Sequence, residues 1–388
     1  MAAPSTDSRP DSQGNLPGMY AGGRWVEAHG SLSLEIINPA TEALLGRAPI
    51  CSDEDVDYAV AAASTTLPAW RNSGAGVRAE VMIRLADELR SRAAELGRAV
   101  TLENGSPIQE TVGTVLNAAT IISFYASLAT GYDDRDVRPA ANGLSSVVRR
   151  QALGVAGLIT PWNFPVSVLA IKLGPALLTG CTVVAKPAPE MPLHLRVLAE
   201  AVAAAAVPPG VVNFVTGDAT TGQALVRHPQ VNKISFTGST AAGRQVALLC
   251  AEQLKPVTLE LGGKSAALVL DDVDVDVFRA NLFRASLRNS GQTCYAATRL
   301  LLPRSRYAEL VDVVADVMQT AILGDPYRRR PNSARWSVSG IALGSRSTSG
   351  SARAKGPGWR PVGHGRPRRR SATTSNRPCS SMLVLACA

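Results

Sequence analysis

"KISFTGSTAAGRQV", residues 233–246, decides the fold. A short apolar strand runs into Gly238, a small polar turn follows, and a helix pattern begins near Ala241. A strand feeding directly into a helix is the building unit of a parallel sheet. The turn leaves backbone N–H groups and a helix N-terminus where a pyrophosphate could sit. Gly238, Ser239 and Gly243 are therefore candidates for an anion-binding turn. Their spacing is not the usual GxGxxG, so the turn is a weak signal alone.

The same texture extends outward on both sides. "VAGLI" (155–159), "CTVVAK" (181–186), "VVNFV" (211–215) and "VTLEL" (257–261) are short apolar strands separated by helical stretches. This alternation predicts a parallel sheet covered by helices on both faces. Two further units follow: "SAALVL" with a helix over 275–288, and "RLLLP" with a helix over 305–322. Before the sheet, "MYAGGRWVEA" predicts a hairpin around Gly22-Gly23. Ser52 followed by three acids predicts a capped helix. Residues 77–105 predict one continuous helix ending at Asn104-Gly105, and another helix covers about 108–130. "DRDVRPAANGLSSVVRRQ" predicts a projecting hairpin over 134–152 with Asn142-Gly143 at its turn.

Composition narrows the function. The chain has 388 residues, enough for two or three domains, and 46% are hydrophobic. Six scattered cysteines without a CxxC pair disfavour disulfides and structural zinc, and four separated histidines disfavour a metal site. The first 17 residues lack an apolar core and predict a disordered leader rather than a signal peptide. No apolar run is expected to reach the length of a membrane span. These features predict a cytoplasmic setting with free thiols. The net charge of +9 would suggest nucleic acid, but residues 328–388 alone contain twelve Arg, one Lys and no acid. The rest of the chain is mildly acidic, which disfavours a nucleic-acid partner.

Three side chains could carry chemistry. Cys294, in "NSGQTCYAATR" (289–299), follows small residues that would let a substrate approach, although free cysteines are commonly core residues. Glu260 ends a predicted strand just before Gly262-Gly263, where it could activate water or simply face solvent. Asn163, in "TPWNFPVSV" (160–168), is held between aromatic residues and prolines and could donate to an oxyanion or satisfy its own turn. "LGGKS" is not a phosphate loop, because Thr258 stands where that motif needs a glycine.

Together these segments resemble the NAD(P)-dependent aldehyde dehydrogenases. "TPWNFP", "KPAPEMP", "GVVNFVTG", "FTGSTAAGR", "LELGGKS" and "NSGQTCYAATR" occur in the family's order and spacing, joined by "INPAT" (37–41), Trp70 and "ENGSPI" (103–108). The resemblance covers about residues 18–327. It implies an α/β fold: a Rossmann-type coenzyme domain over 18–133 and 153–261, an oligomerisation hairpin over 134–152, and the first part of a catalytic domain over 262–327.

The resemblance also implies roles. Cys294 corresponds to the nucleophile, Glu260 to the general base, Asn163 to the oxyanion donor and Lys172 to a proton-relay lysine. Pro161, Trp162, Lys186, Glu190, Gly238, Ser239, Gly243 and Leu261 fall at coenzyme-binding positions. The implied activity oxidises an aldehyde to a carboxylic acid through a cysteine thiohemiacetal and thioester, with hydride passing to NAD or NADP. The implied partners are a small aldehyde and further copies of the chain.

Two departures stand out. Pro189 occupies the position where many NAD-preferring members carry a ribose-binding glutamate, with Glu190 next, so NAD and NADP both stay open. After "GDP" (324–326) the family pattern stops. Residues 328–388 have the composition of an out-of-frame or disordered basic tail. A catalytically inactive truncated chain, or a coenzyme- or nucleic-acid-binding module using that tail, are the alternatives.

Overall fold

The computed structural model describes residues 14–139, 143–327, 335–336 and 381–384. The chain forms two compact units. The first runs to Gly263 and regains the chain at Ile322; the second begins at Lys264.

The first unit opens with the expected hairpin, β1 (Gly18–Ala21) and β2 (Arg24–Glu27). Gly22 and Gly23 turn it with φ of 61° and 83°, a left-handed pair that only glycine adopts freely. A second hairpin, β3 (Ser33–Ile37) with β4 (Leu44–Pro49), was not foreseen. The helix α1 (Asp53–Asn72) starts at a full capping box, in which the Ser52 and Asp55 side chains each accept the other residue's backbone N–H.

The single helix expected over 77–105 is two: α2 (Ala75–Ser91) and α3 (Ala93–Asn104), broken at Arg92. Neither Pro nor Gly marks the break, so no local signal exposes it. α3 ends as expected at Gly105, with φ 72°.

The next helix, α4 (Ile108–Ser127), corrects another expectation. With the short turn after it, Ile108–Gly131 is long and apolar enough by composition to cross a membrane. Its Val115, Ala118, Ala119 and Ile122 are instead fully buried in the core of this unit. The projecting hairpin is present as β5 (Arg135–Pro139) and β6 (Ser145–Arg149), both largely exposed. Asn142 of its turn lies outside the described residues.

The alternating region forms as read. It comprises β7 (Val155–Ile159), α5 (Pro165–Leu178), β8 (Thr182–Lys186), α6 (Leu195–Ala204), β9 (Val212–Phe214), α7 (Ala219–Arg227), β10 (Val231–Gly238), α8 (Thr240–Glu252) and β11 (Val257–Leu261). The sheet order is β11-β10-β7-β8-β9-β1-β2. Five strands are parallel, but β1 joins β9 antiparallel and carries β2 with it. The expected parallel sheet thus gains an antiparallel edge, where the amino-terminal hairpin joins it.

Each sheet face has its own core. Ala156, Leu158, Val183, Ala185 and Phe214 pack with α2, α4, α5 and α6. Val155, Ile159, Val184, Ile234 and Phe236 pack with α1, α7 and α8. This alternation of side chains is the period of two of a doubly covered sheet.

The second unit has β12 (Ser265–Leu268), α9 (Val275–Ser286), β13 (Ala297–Leu302) and α10 (Tyr307–Gln319). β12 and β13 are parallel, and Phe278, Leu282, Leu300, Leu302, Leu310 and Val314 form the core. Back in the first unit, β14 (Ile322–Leu323) pairs with β15 (Arg335–Trp336). Within the second, β16 (Ser381–Val384) pairs antiparallel with β13. These two strands are the described parts of the tail; the rest of 328–388, like the leader 1–13, lies outside the described residues.

Candidate active site

The sheet reverses its direction of growth at β7. From there β8 and β9 extend one way, and the chain then crosses to place β10 and β11 on the other side. Loops leaving the carboxyl ends of strands at such a switch diverge and open a crevice. Register pairs Phe236 with both Ile159 and Leu259, and Ile159 with Lys186, so these four residues share one level. Lys186 lies at that level, and Asn163, Gly238, Ser239, Glu260 and Leu261 follow it along their chain segments.

Beyond β7, Pro161, Trp162 and Asn163 form the loop into α5 and are all part-exposed. Asn163 Oδ1 accepts the Phe164 N–H at 3.0 Å, which fixes the amide against its own turn. Beyond β10, Ser239 caps α8, its side chain accepting the Ala242 N–H at 3.2 Å. Ser239, Thr240, Ala241 and Ala242 are exposed at that helix start. Gly243 is buried one turn in, where an added Cβ would lie 2.5 Å from Leu261 Cδ2. Its missing side chain lets α8 approach Leu261 on β11.

At the end of β8, Lys186 is buried rather than solvated, and its Nζ donates to the Pro187 carbonyl at 3.1 Å. Burial lowers its pKa to about 8, opposed by the charges of Glu190 and Asp218. Glu190 itself is exposed.

Glu260 pairs in register with Thr237 and is exposed near the end of β11. Lys172, on α5, is buried and donates from Nζ to Ser235 Oγ at 2.9 Å. Burial lowers its pKa to about 8, with the Glu260 charge acting against that fall. Ser235, Thr237 and Glu260 share one sheet face by alternation and register, the face against which α5 packs.

Cys294 lies in the second unit, in the turn before β13. It is exposed, whereas Cys51, Cys181 and Cys250 are buried. The preceding segment is unusual: Asn289 and Ser290 are non-glycine residues with φ of 53° and 57°, followed by Gly291 at 78°. Left-handed conformations at two successive non-glycine residues cost energy.

The first unit thus gathers Asn163, Lys172, Lys186, Glu260 and the α8 turn at one end of its sheet. The second presents the thiol. Two contributors went unremarked in the sequence: Ser235, the partner of Lys172, and Asn104, whose Nδ2 donates to the Trp162 carbonyl at 3.1 Å. Alternation along β10 could have singled out Ser235; nothing local distinguishes Asn104 beyond its place in "ENGSPI".

The crevice also fits a dinucleotide. An open helix start, a glycine permitting close approach, a buried lysine and the buried Thr237 hydroxyl without a hydrogen-bond partner line its end.

A doubly wound sheet with an open helix start at its switch point, followed by a second α/β unit, defines an α/β protein of the nucleotide-cleft type. The chain belongs to the aldehyde dehydrogenase family, whose model matches residues 25–334. It is 45% identical over 316 residues to the geranial dehydrogenase of Castellaniella defragrans, covering 80% of this chain and 66% of that protein. It is 36% identical over 304 residues to the NADP(+) succinate-semialdehyde dehydrogenase of Escherichia coli K12, covering 78% and 63%. Among solved structures, aldehyde dehydrogenase C of Pseudomonas syringae, a mutant complexed with NAD+ and octanal, superposes with a TM-score of 0.79 at 34% identity, covering 85% of this chain and 67% of that one. The chain therefore spans about two-thirds of the length of these relatives.

Proposed function

We propose that this chain carries an aldehyde-oxidising site that yields a carboxylic acid, with NAD or NADP as hydride acceptor. The observation that carries the reading is the grouping of Asn163, Lys172, Glu260 and the open α8 turn at the switch point of a family-type sheet. The exposed Cys294 of the second unit supplies the nucleophile.

The Cys294 thiolate attacks the aldehyde carbon, forming the C–S bond while the carbonyl π pair moves onto oxygen. Asn163 Nδ2 donates to that oxyanion. A coenzyme held by Lys186 and the α8 turn would supply the acceptor for the hydride of the former carbonyl carbon; loss of that hydride leaves a thioester on Cys294. Glu260 takes a proton from water, the water oxygen adds to the thioester, and the C–S bond breaks to return the thiolate. Lys172 takes the proton onward from Glu260. Its pKa of about 8 allows it to hold or release that proton near neutrality.

The reading extends to the aldehyde's class. The least buried stripe of α5, starting beside Asn163, is Phe164, Val168, Ile171 and Pro175. Ile171 is 53% exposed. A solvent-facing helix stripe is ordinarily polar. An uncharged one beside the oxyanion donor suits an apolar aldehyde, in keeping with the relative named for geranial. The exposed β5–β6 hairpin, with Val137 and Val147 outward, supports assembly with further copies, and the free thiols suit a cytoplasmic setting.

A panel of aldehydes with NAD or NADP, followed by absorbance of the reduced coenzyme, tests the reading. Turnover lost in Cys294→Ala supports it; turnover undiminished in that variant sinks it. A second reading, an inactive chain, draws on the extent of the match, which covers about two-thirds of these relatives. Coenzyme-dependent turnover by the purified chain rules that out.

A further inference from the structure

Glu103 and Asn104 end α3, and both side chains are almost wholly buried, at 3% and 2% exposure. A buried carboxylate is costly, and an acid at a helix carboxyl end opposes the helix dipole. Packing of α3 alone gives no reason for either residue. Their hydrogen bonds do, because Glu103 reaches the loop after β8 and Asn104 reaches the loop after β7.

Glu103 accepts the backbone N–H groups of Leu193 and His194, both at 2.7 Å. It thereby fixes the turn that leads into α6, in the segment that follows Lys186. His194 Nδ1 lies 3.4 Å from the same carboxylate. Asn104 spans the other loop: its Oδ1 accepts the Ser106 N–H at 2.9 Å, while its Nδ2 donates to the Trp162 carbonyl at 3.1 Å. That carbonyl belongs to the peptide linking Trp162 to Asn163. One helix end thus holds the loops that follow β7 and β8, independently of the strands.

We propose that Asn104 is a positioning residue for Asn163, and that Glu103 performs the matching task for the loop after Lys186. The role of Asn104 rests on the reading of Asn163 as oxyanion donor. A donor must lie within a few tenths of an ångström of its target, so a peptide released by one hydrogen bond is enough to misplace it. Side-chain amides suit this task because a single rigid group accepts from one strand of chain and donates to another.

The test uses Asn104→Asp, which retains the acceptor for Ser106 and puts a carboxylate oxygen in place of the donor to Trp162. Amide hydrogen exchange read by mass spectrometry on the full chain needs no activity. Asn104→Asp should speed exchange selectively over residues 160–166, and Glu103→Gln selectively over 188–196. Uniformly faster exchange, or none over these segments, overturns the proposal. In turnover, Asn104→Asp should lower kcat about tenfold, with coenzyme KM little changed. The loss should vanish in an Asn163→Ala background. An equal further loss there overturns positioning through Asn163. Full activity of Asn163→Ala instead overturns the oxyanion reading, and the exchange pattern still decides whether Asn104 holds the loop.

Discussion

Lys172 reaches from α5 to the central sheet and donates to Ser235 Oγ at 2.9 Å, within reach of the Glu260 charge. Burial is the largest influence on the lysine; Lys233 adds to it and Glu260 opposes it. Folded Lys172 loses its proton near pH 8, against an ordinary value of 10.5. Between these values the unfolded chain binds more protons, so raising the pH favours the fold. Lys186 behaves alike for the same reason. Denaturant midpoints should therefore gain less between pH 8 and 10.5 in Lys172→Met than in the parent chain. Parallel pH dependences in the two proteins would refute this.

Glu260 and Cys294 act at different stages of the proposed cycle, so their variants should fail differently. Cys294→Ala should form no reduced coenzyme, and its melting temperature should stay near the parent value because the thiol is exposed. Glu260→Gln should still acylate. Rapid mixing should show one burst of reduced coenzyme per active thiol, then steady turnover slowed by about 10²–10⁴-fold. Loss of the burst in Glu260→Gln would move the carboxylate to an earlier step.

Two glycines at close approaches should respond unequally to a methyl group. At Gly97 an added Cβ would lie 2.9 Å from the backbone nitrogen of Val112 and 3.0 Å from its Cα. Backbone cannot yield without separating α3 from α4, so Gly97→Ala should cost about 1–3 kcal/mol. At Gly243 the nearest atom is Leu261 Cδ2, the far end of a flexible side chain. Gly243→Ala should cost less in stability and weaken coenzyme binding by displacing the α8 turn. Chemical denaturation and coenzyme titration of both variants check the contrast.

The pattern of this fold is legible wherever local chemistry and tertiary packing agree. Each strand of 155–261 is a short apolar run that ends at a turn, and each became a strand of the central sheet. Ser52 and Gly105 punctuate helices as their side-chain chemistry requires. The break at Arg92 was hidden because Arg, Ala and Leu all favour helix on both sides of it. The β3–β4 hairpin buries Ile36, Gly46 and Ala48 in alternation, but Gly and Ala give that alternation little hydrophobic contrast in the sequence. For the site, Asn163 and Glu260 were visible as polar residues at strand ends. Asn104 and Ser235 were not, because their importance lies in partners about sixty residues away.

His29 and Asp55 give the amino-terminal half a second pH response, of opposite sign to the lysines. Asp55 is fully buried and accepts from the Ser52 N–H at 2.8 Å and the His29 N–H at 3.1 Å. His29 Nδ1 lies 2.6 Å from the same carboxylate, and that hydrogen bond raises the imidazole pKa above its ordinary 6.5, with the Asp55 and Glu54 charges assisting. A histidine whose folded pKa exceeds its unfolded value contributes stability that is complete below the unfolded value. The contribution is lost as pH rises through the folded value, because the neutral ring keeps the hydrogen bond but not the charge. His29→Gln should therefore lie further below the parent chain in denaturant midpoint at about pH 6 than at about pH 9. Asp55→Asn would remove the pH dependence together with the helix cap, so its loss should be nearly constant over that range. A His29→Gln gap that widens with pH would mean that the imidazole is bound in its neutral form and that the carboxylate draws its stabilisation from the backbone N–H groups alone.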